Sequence, residues 1–315
     1  MGDVFNAMNR AKQQADQQSP DAAAAPSQAD DTTPALERQQ NIEVELNATD
    51  QQQGQPQHGV AAAAEKSKSE TEQARTGQGM DGQSLASLNS YSSEVVTHHD
   101  RGSVITEQYR AIRTQILARG RNRQLQTTVI TSAAPDEGKT LTTINLGVTF
   151  SELRNKKTLL IEGDLRQPTF ARLLKRNAVP GLLQVLRGEV ENLDQAIHPT
   201  VYDNLQFIAS GGCDAVNSTQ LLSSPQWGQL IDRLRDRYDH IFIDTPPVLN
   251  VTDSSILGAI SDQTVLVVRL NKTPSDVVER AKRLLHASNS EVAGVVLTHL
   301  SQQLPQYLYW NRYAY

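Results

Sequence analysis

The run Val129-Ile130-Thr131-Ser132-Ala133-Ala134-Pro135-Asp136-Glu137-Gly138-Lys139-Thr140 constrains this chain more than any other stretch. β-Favouring residues lead into a turn-like segment. Gly138-Lys139-Thr140 then opens a stretch in which Ile144, Leu146, Val148, Phe150 and Leu153 continue a helix. Ala133 to Thr140 fits the phosphate-loop pattern, with Ala in the place of the first glycine. In such a loop successive backbone N–H groups point inward and surround an anion. A helix starting at about Lys139 adds its unsatisfied N–H groups and the positive end of its dipole. The predicted nucleotide-binding segment is Ala133, Ala134, Pro135, Asp136, Glu137, Gly138, Lys139, Thr140 and Leu141. Lys139 would reach the β- and γ-phosphates, and the Thr140 hydroxyl would ligate Mg²⁺. The competing explanation is an ordinary strand–helix connection that happens to contain Gly-Lys-Thr. A strand before and a helix after are the context that favours phosphate binding, and both are predicted here.

Two further apolar runs end in carboxylates. Thr158-Leu159-Leu160-Ile161 runs into Glu162-Gly163-Asp164-Leu165-Arg166-Gln167-Pro168, and His240-Ile241-Phe242-Ile243 into Asp244-Thr245-Pro246-Pro247. Neither run alternates, as expected of parallel strands buried on both faces. Further strands are predicted over Asn204–Ser210, Thr264–Leu270 and Val292–Leu297. Helices are predicted around Phe170–Leu174 and Leu182–Leu186, over Trp227–Tyr238, and from about Pro274 to His286. Strands alternating with helices imply an α/β fold of the P-loop NTPase type, a mostly parallel sheet with helices on both faces. Ligands of such sheets bind beyond the carboxyl ends of the strands. An acid there is costly to desolvate without a partner, and a Mg²⁺ ion on nucleotide phosphates is a natural one. Thr140, Asp164 and Asp244 are the expected metal ligands. A buried salt bridge or helix cap is the alternative for Asp244, and pairing with Arg166 the alternative for Asp164.

The first 99 residues read differently. From Asn9 to Ser84 the large apolar residues are Leu36, Ile42, Val44, Leu46, Val60 and Met80, scattered among Gln, Ala, Ser, Asp and Glu. Such a stretch buries too little surface to offset its chain entropy, so a disordered tether is expected. Val4, Phe5 and Met8 mark a short amphipathic turn before it, either a frayed terminus or a docking helix. His98 and His99 are adjacent, which is poor metal-ligand spacing, and are expected to be solvated. Order is predicted from near Ser103, with a domain over 100–300. Val104, Ile105, Ala111, Ile112, Ile116 and Leu117 mark one helical face, and Glu107, Arg110 and Arg113 lie on the other. Glu107 and Arg110, three apart, can pair on the helix surface. A net charge of −5 gives no reason to expect nucleic acid. The single Cys213 rules out an internal disulfide and suits a reducing cytoplasm. No stretch approaches the length of a membrane span.

The phosphate loop, the Glu162–Arg166 segment and the Ile241–Pro247 strand resemble the Walker A, A′ and B motifs of bacterial tyrosine autokinases of capsule and exopolysaccharide synthesis. The resemblance covers roughly 103–300. It implies that Glu107, Arg110 and Arg113 belong to a self-association helix. Tyr307, Tyr309, Tyr313 and Tyr315 crowd the last nine residues; this 301–315 tail is similar to the family's C-terminal tyrosine cluster, phosphorylated in trans by neighbouring subunits. The resemblance further implies ATP and Mg²⁺ as cofactors and a homo-oligomer, with a ring as one arrangement. Its other implied partners are a separate membrane adaptor of the polysaccharide co-polymerase type and a cognate tyrosine phosphatase. A cytoplasmic chain held at the inner face of the cell membrane through that adaptor is the expected location. Three departures stand out. Asp136 stands where the family usually has Gly, and Glu162 where it usually has Asp. The third is that no fused membrane-spanning adaptor is expected, since no stretch of the sequence is long and apolar enough to span a membrane.

The expected reaction is transfer of the ATP γ-phosphoryl group to a tyrosine hydroxyl. Lys139, Asp164, Glu162 and Arg166 are the catalytic candidates. A tyrosine hydroxyl has a pKa of roughly 10, so a base near it helps, and Asp164 and Glu162 are equally eligible. One competing reading is a switch ATPase of the partition or septum-placement class. Those carry a lysine at the position of Ala134, and this chain does not. The other is a nucleotide-binding scaffold without phosphotransfer, which Asp136 and Glu162 favour.

Overall fold

A computed structural model describes residues 41–45, 91–120, 126–176 and 178–300. The tail 301–315, with all four of its tyrosines, and the turn at Val4, Phe5 and Met8 lie outside the described residues.

The strands are β1 (Asn41–Glu45), β2 (Thr127–Ser132), β3 (Thr158–Glu162), β4 (His198–Pro199), β5 (Leu205–Ile208), β6 (His240–Asp244), β7 (Gln263–Arg269) and β8 (Val292–Leu300). They form one sheet in the order β1-β8-β7-β2-β6-β3-β5-β4. The six inner strands pair in parallel, and the two edge strands β1 and β4 are antiparallel. The helices are α1 (Val96–His99), α2 (Val104–Arg119), α3 (Lys139–Phe150), α4 (Phe170–Leu173), α5 (Leu182–Leu186), α6 (Ser218–Leu222), α7 (Pro225–Arg235), α8 (Asp253–Ala259) and α9 (Ser275–Ala287).

Successive strand side chains point to opposite faces, and here both faces are covered. Leu160 and Phe242 pack with Tyr109, Ile112, Ile116 and Phe150 from α2 and α3. Their neighbours Leu159, Ile161, Ile241 and Ile243 pack on the other side with Leu182, Trp227, Leu230 and Leu234. Burying both faces explains the uninterrupted apolar runs. A third cluster joins Val278, Ala281 and Leu285 of α9 to Leu266, Val268 and Val295. Within the parallel sheet the boundaries read from the sequence hold to within about three residues.

The amino-terminal side differs from expectation. Order reaches back past Ser103 and position 100 to Tyr91, because Tyr91 and Val95 are buried against the α2–α3 face. Thr97 anchors this segment, its N–H and hydroxyl both donating to Asn145 Oδ1 at 3.0 and 2.8 Å. His98 is not simply solvated: its Nδ1 lies 2.8 Å from the Tyr202 hydroxyl. Two apolar residues in a polar stretch give no periodic signal, so this docking was invisible to pattern reading. Strand β1 also falls inside the stretch expected to lack order, with Glu45 opposite Val295 and Ile42 opposite Thr298.

Candidate active site

Strand order β2-β6-β3 sets the carboxyl ends of three chemistry-bearing strands side by side. Ile130 is in register with Asp244, and Asp244 with Glu162. Backbone bonds seal the three ends: Thr245 N–H donates to Ile130 O (3.1 Å) and Gly163 N–H to Asp244 O (2.8 Å). At Gly163 any Cβ would lie 2.8 Å from Asp244 O, so this approach requires glycine.

The phosphate loop leaves β2 and turns through two left-handed residues, Asp136 (φ 61°) and Gly138 (φ 90°). Aspartate is among the few side chains that visit this region, which is how the chain dispenses with the usual glycine at 136. Pro135 and Asp136 form the exposed rim of the loop, and Ala133 is buried beneath it. Gly138 caps α3, so the N–H groups of Lys139, Thr140 and Leu141 open the helix without intrahelical acceptors.

Four side chains converge where these elements meet. Lys139 Nζ donates to Asp164 Oδ2 at 2.9 Å and to Thr140 Oγ1 at 3.2 Å, and lies 3.7 Å from Asp244 Oδ2. Thr140 Oγ1 donates to Asp244 Oδ2 at 2.8 Å. Asp164 Oδ1 accepts the N–H groups of Arg166 and Gln167 at 3.3 and 3.0 Å, which fixes the carboxylate. Burial pushes the Asp244 carboxyl up to about 7, with the Lys139 charge opposing it and Asp164 adding to it. Burial works against the Lys139 charge, but Asp244 and Asp164 outweigh it and the ammonium is held above its ordinary value. Asp244 Oδ1 is buried and has no hydrogen-bond partner among the described residues. That orphaned acceptor, the Thr140 hydroxyl and Asp164 are hard oxygen donors, a set that fits Mg²⁺.

Three expected site residues are placed differently. Glu162 is not turned toward Lys139. Its Oε1 accepts N–H from Thr169 and, at 2.6 Å, from Phe170, and its Oε2 accepts Ser210 N–H at 2.9 Å. The methylene that distinguishes Glu from Asp carries the carboxyl to the start of α4, so Glu162 caps a helix there. Burial raises its pKa against those three donors. Arg166 is likewise outside the cluster. Its guanidinium donates to the fully buried Asp253 (2.9 Å), to Thr219 Oγ1 (2.8 Å) and to Ala215 O (2.8 Å). The Arg166 guanidinium makes no hydrogen bond to the Asp164 side chain among the described residues. Glu137, expected among the phosphate contacts, turns its side chain into the protein and is 1% exposed. Asp253, which opens α8, and Thr219 in α6 were missed altogether, because neither lies in a motif or periodic run.

On α2, Arg110 pairs with Glu107 (2.5 Å) as its spacing suggests, and also with Glu152 (2.5 Å). Arg113 joins Glu152 at 2.7 Å. Within one chain the two arginines therefore bracket an acid just past the end of α3, and Glu107 is the most exposed member.

A parallel sheet with a phosphate loop on its central strand and two acids on the adjoining strand ends defines an α/β nucleotide-binding ATPase fold. A family model described as an AAA domain matches residues 130–289, just over half of the chain. The chain is 36% identical over 203 residues to the tyrosine-protein kinase YwqD of Bacillus subtilis (strain 168), covering 64% of this chain and 84% of that one. It is 29% identical over 260 residues to the tyrosine-protein kinase Wzc of Salmonella typhimurium (strain LT2), covering 82% of this chain but 35% of that longer relative. The crystal structure of the chimerical protein CapA2B2 superposes with a TM-score of 0.62 at 32% identity, over 65% of this chain and 89% of that one. The chain belongs to the bacterial tyrosine-protein kinases. No helix among the described residues is long and apolar enough to cross a membrane.

Proposed function

We propose that the chain is an ATP-dependent protein-tyrosine kinase that phosphorylates Tyr307, Tyr309, Tyr313 and Tyr315 on a neighbouring copy of itself. The observation that carries the reading is the meeting of Lys139, Thr140, Asp164 and Asp244 at three adjoining strand ends, in a member of this family. Loop N–H groups and Lys139 hold the triphosphate and offset charge that develops during transfer. Thr140 and Asp244 would hold Mg²⁺, leaving Asp164 free to act as base. When bound, the ion supplies further charge neutralisation at the β- and γ-phosphates. The tyrosine oxygen forms a bond to the γ-phosphorus as the bond from that phosphorus to the β–γ bridging oxygen breaks, giving phosphotyrosine and ADP. Asp164 receives the phenolic proton. Of the two base candidates, Asp164 is the one that faces Lys139, whereas Glu162 is held at the start of α4. Arg166 acts indirectly, by tying the Asp164 loop to α6 and α8.

Glu107, Arg110 and Arg113 contact the adjacent protomer and bring its tail to this pocket. A separate membrane adaptor and a tyrosine phosphatase complete the system, which controls polysaccharide synthesis or export. Anti-phosphotyrosine signal on purified protein incubated with Mg-ATP tests the reaction. Wild type should give signal, and Lys139→Met and Asp164→Asn should lose at least about 100-fold of it. Signal retained by Lys139→Met would refute the assignment.

A further inference from the structure

We infer that Glu137 is a positioning residue for the nucleotide site, a buried latch that sets the shape of the phosphate loop from the ends of β7 and β8. The inference rests on the nucleotide-binding reading above. Glu137 lies between the two left-handed residues of the loop, Asp136 and Gly138, and its side chain is 1% exposed. Its Oε2 accepts the N–H of Ala134, within the loop, at 2.7 Å. Its Oε1 accepts the Thr273 hydroxyl and, at 3.4 Å, the N–H of Arg269, the last residue of β7. Its own carbonyl accepts the Thr298 hydroxyl at 2.8 Å, from near the end of β8. One residue thus ties the loop to itself and to two strands that end beside it.

The chemistry specifies an acid. Three donors aim at the two oxygens, and an ionised carboxylate is the group that accepts without donating. A glutamine at 137 would turn an NH₂ toward the backbone N–H of either Ala134 or Arg269, leaving a buried N–H facing another N–H, although the Thr273 hydroxyl could reverse its role and accept. On electrostatic grounds a buried negative charge on an anion-binding loop works against phosphate. What Glu137 contributes is geometry: it withdraws the Ala134 N–H and fixes the turn, so that the N–H groups that follow converge.

The test is calorimetric affinity for Mg-ADP, measured on the full chain at a temperature where every variant is folded, with a thermal melt beside it. Glu137→Gln should weaken binding about tenfold or more, and Thr273→Val about three- to tenfold, whereas Thr273→Ser should stay within about twofold of wild type. A residue that merely stabilised the fold would lower the melting temperature and leave affinity unchanged. Folded Glu137→Gln with wild-type affinity overturns the latch. If Glu137→Gln does not fold, equal affinities for Thr273→Val and Thr273→Ser overturn it instead. Failure of wild type to bind Mg-ADP is a different result, and removes the nucleotide reading on which the latch depends.

Discussion

Asp136 and Asp244 are the residues whose chemistry is most directly exposed to test. Asp136 occupies a left-handed position on the rim of an anion-binding loop, where glycine is free of both strain and charge. Asp136→Gly should therefore tighten Mg-ADP binding roughly three- to tenfold, by removing a like charge near the phosphates; an unchanged or weaker dissociation constant by calorimetry would contradict this. For Asp244, burial holds the carboxyl at about 7, above its ordinary 3.8. The folded protein then binds a proton that the unfolded chain releases between those values. The stability this contributes is present below the unfolded pKa and is lost as pH rises through about 7. Asp244→Asn should flatten the fall in unfolding free energy between about pH 3.8 and 7, measured by chemical denaturation across that range. Metal ligation needs the ionised form, so Mg-nucleotide affinity should weaken as pH drops below about 7. Asp244 was legible in the sequence because it ends an apolar run that leaves an acid nowhere else to go. Glu162 ends a similar run, yet its extra methylene takes it to a helix start, an outcome that only the position of α4 decides. Glu137 was unreadable for the same reason: whether a loop carboxylate faces a ligand or the protein depends on the donors of Thr273 and Arg269, some 130 residues away.

Among the elements, β3 and β6 carry the site, and Gly163 is the joint between them. Its missing side chain lets Asp244 O accept Gly163 N–H at 2.8 Å. Gly163→Ala should cost about 1–3 kcal/mol of stability, because the added carbon meets backbone and the side chain of Ile243. Chemical denaturation checks this, and a loss under about 0.5 kcal/mol would show that the strand ends can separate without penalty. Helix α2 is capped by Ser103, whose Oγ accepts Thr106 N–H at 3.2 Å. Its start was readable from that serine and the apolar spacing behind it, although Val104 and Ala111 prove exposed. The parallel strands were readable because both faces are covered, which leaves long apolar runs. The short helices α4 and α5 were read at Phe170–Leu174 and Leu182–Leu186, whereas the edge strands and the short helices α1, α6 and α8 were not, since β4 has two residues and α8 buries only one face.

For the whole molecule, the arginines of α2 present a choice between intrachain and interchain pairing. Glu152 engages both within one chain, while Glu107 stays open to solvent. If these groups also meet a neighbouring subunit, Arg110→Glu with Arg113→Glu should lower the oligomer mass measured by light scattering. Glu152→Gln, which leaves the α2 side chains themselves unaltered, is the control for simple loss of the intrachain pair. An unchanged mass in the doubly reversed protein would remove α2 from the assembly interface.

The most direct measurement mixes two inactive halves of the reaction: full-length Lys139→Met with its tail intact, and a chain with intact Lys139 whose Tyr307, Tyr309, Tyr313 and Tyr315 are all Phe. After incubation with Mg-ATP, tandem mass spectrometry of the 301–315 peptides should find phosphate on the tyrosines of the Lys139→Met chain and on neither protein alone. Consumption of ATP by the mixture with no phosphate on that tail would contradict transfer from this pocket to the tail of a neighbour.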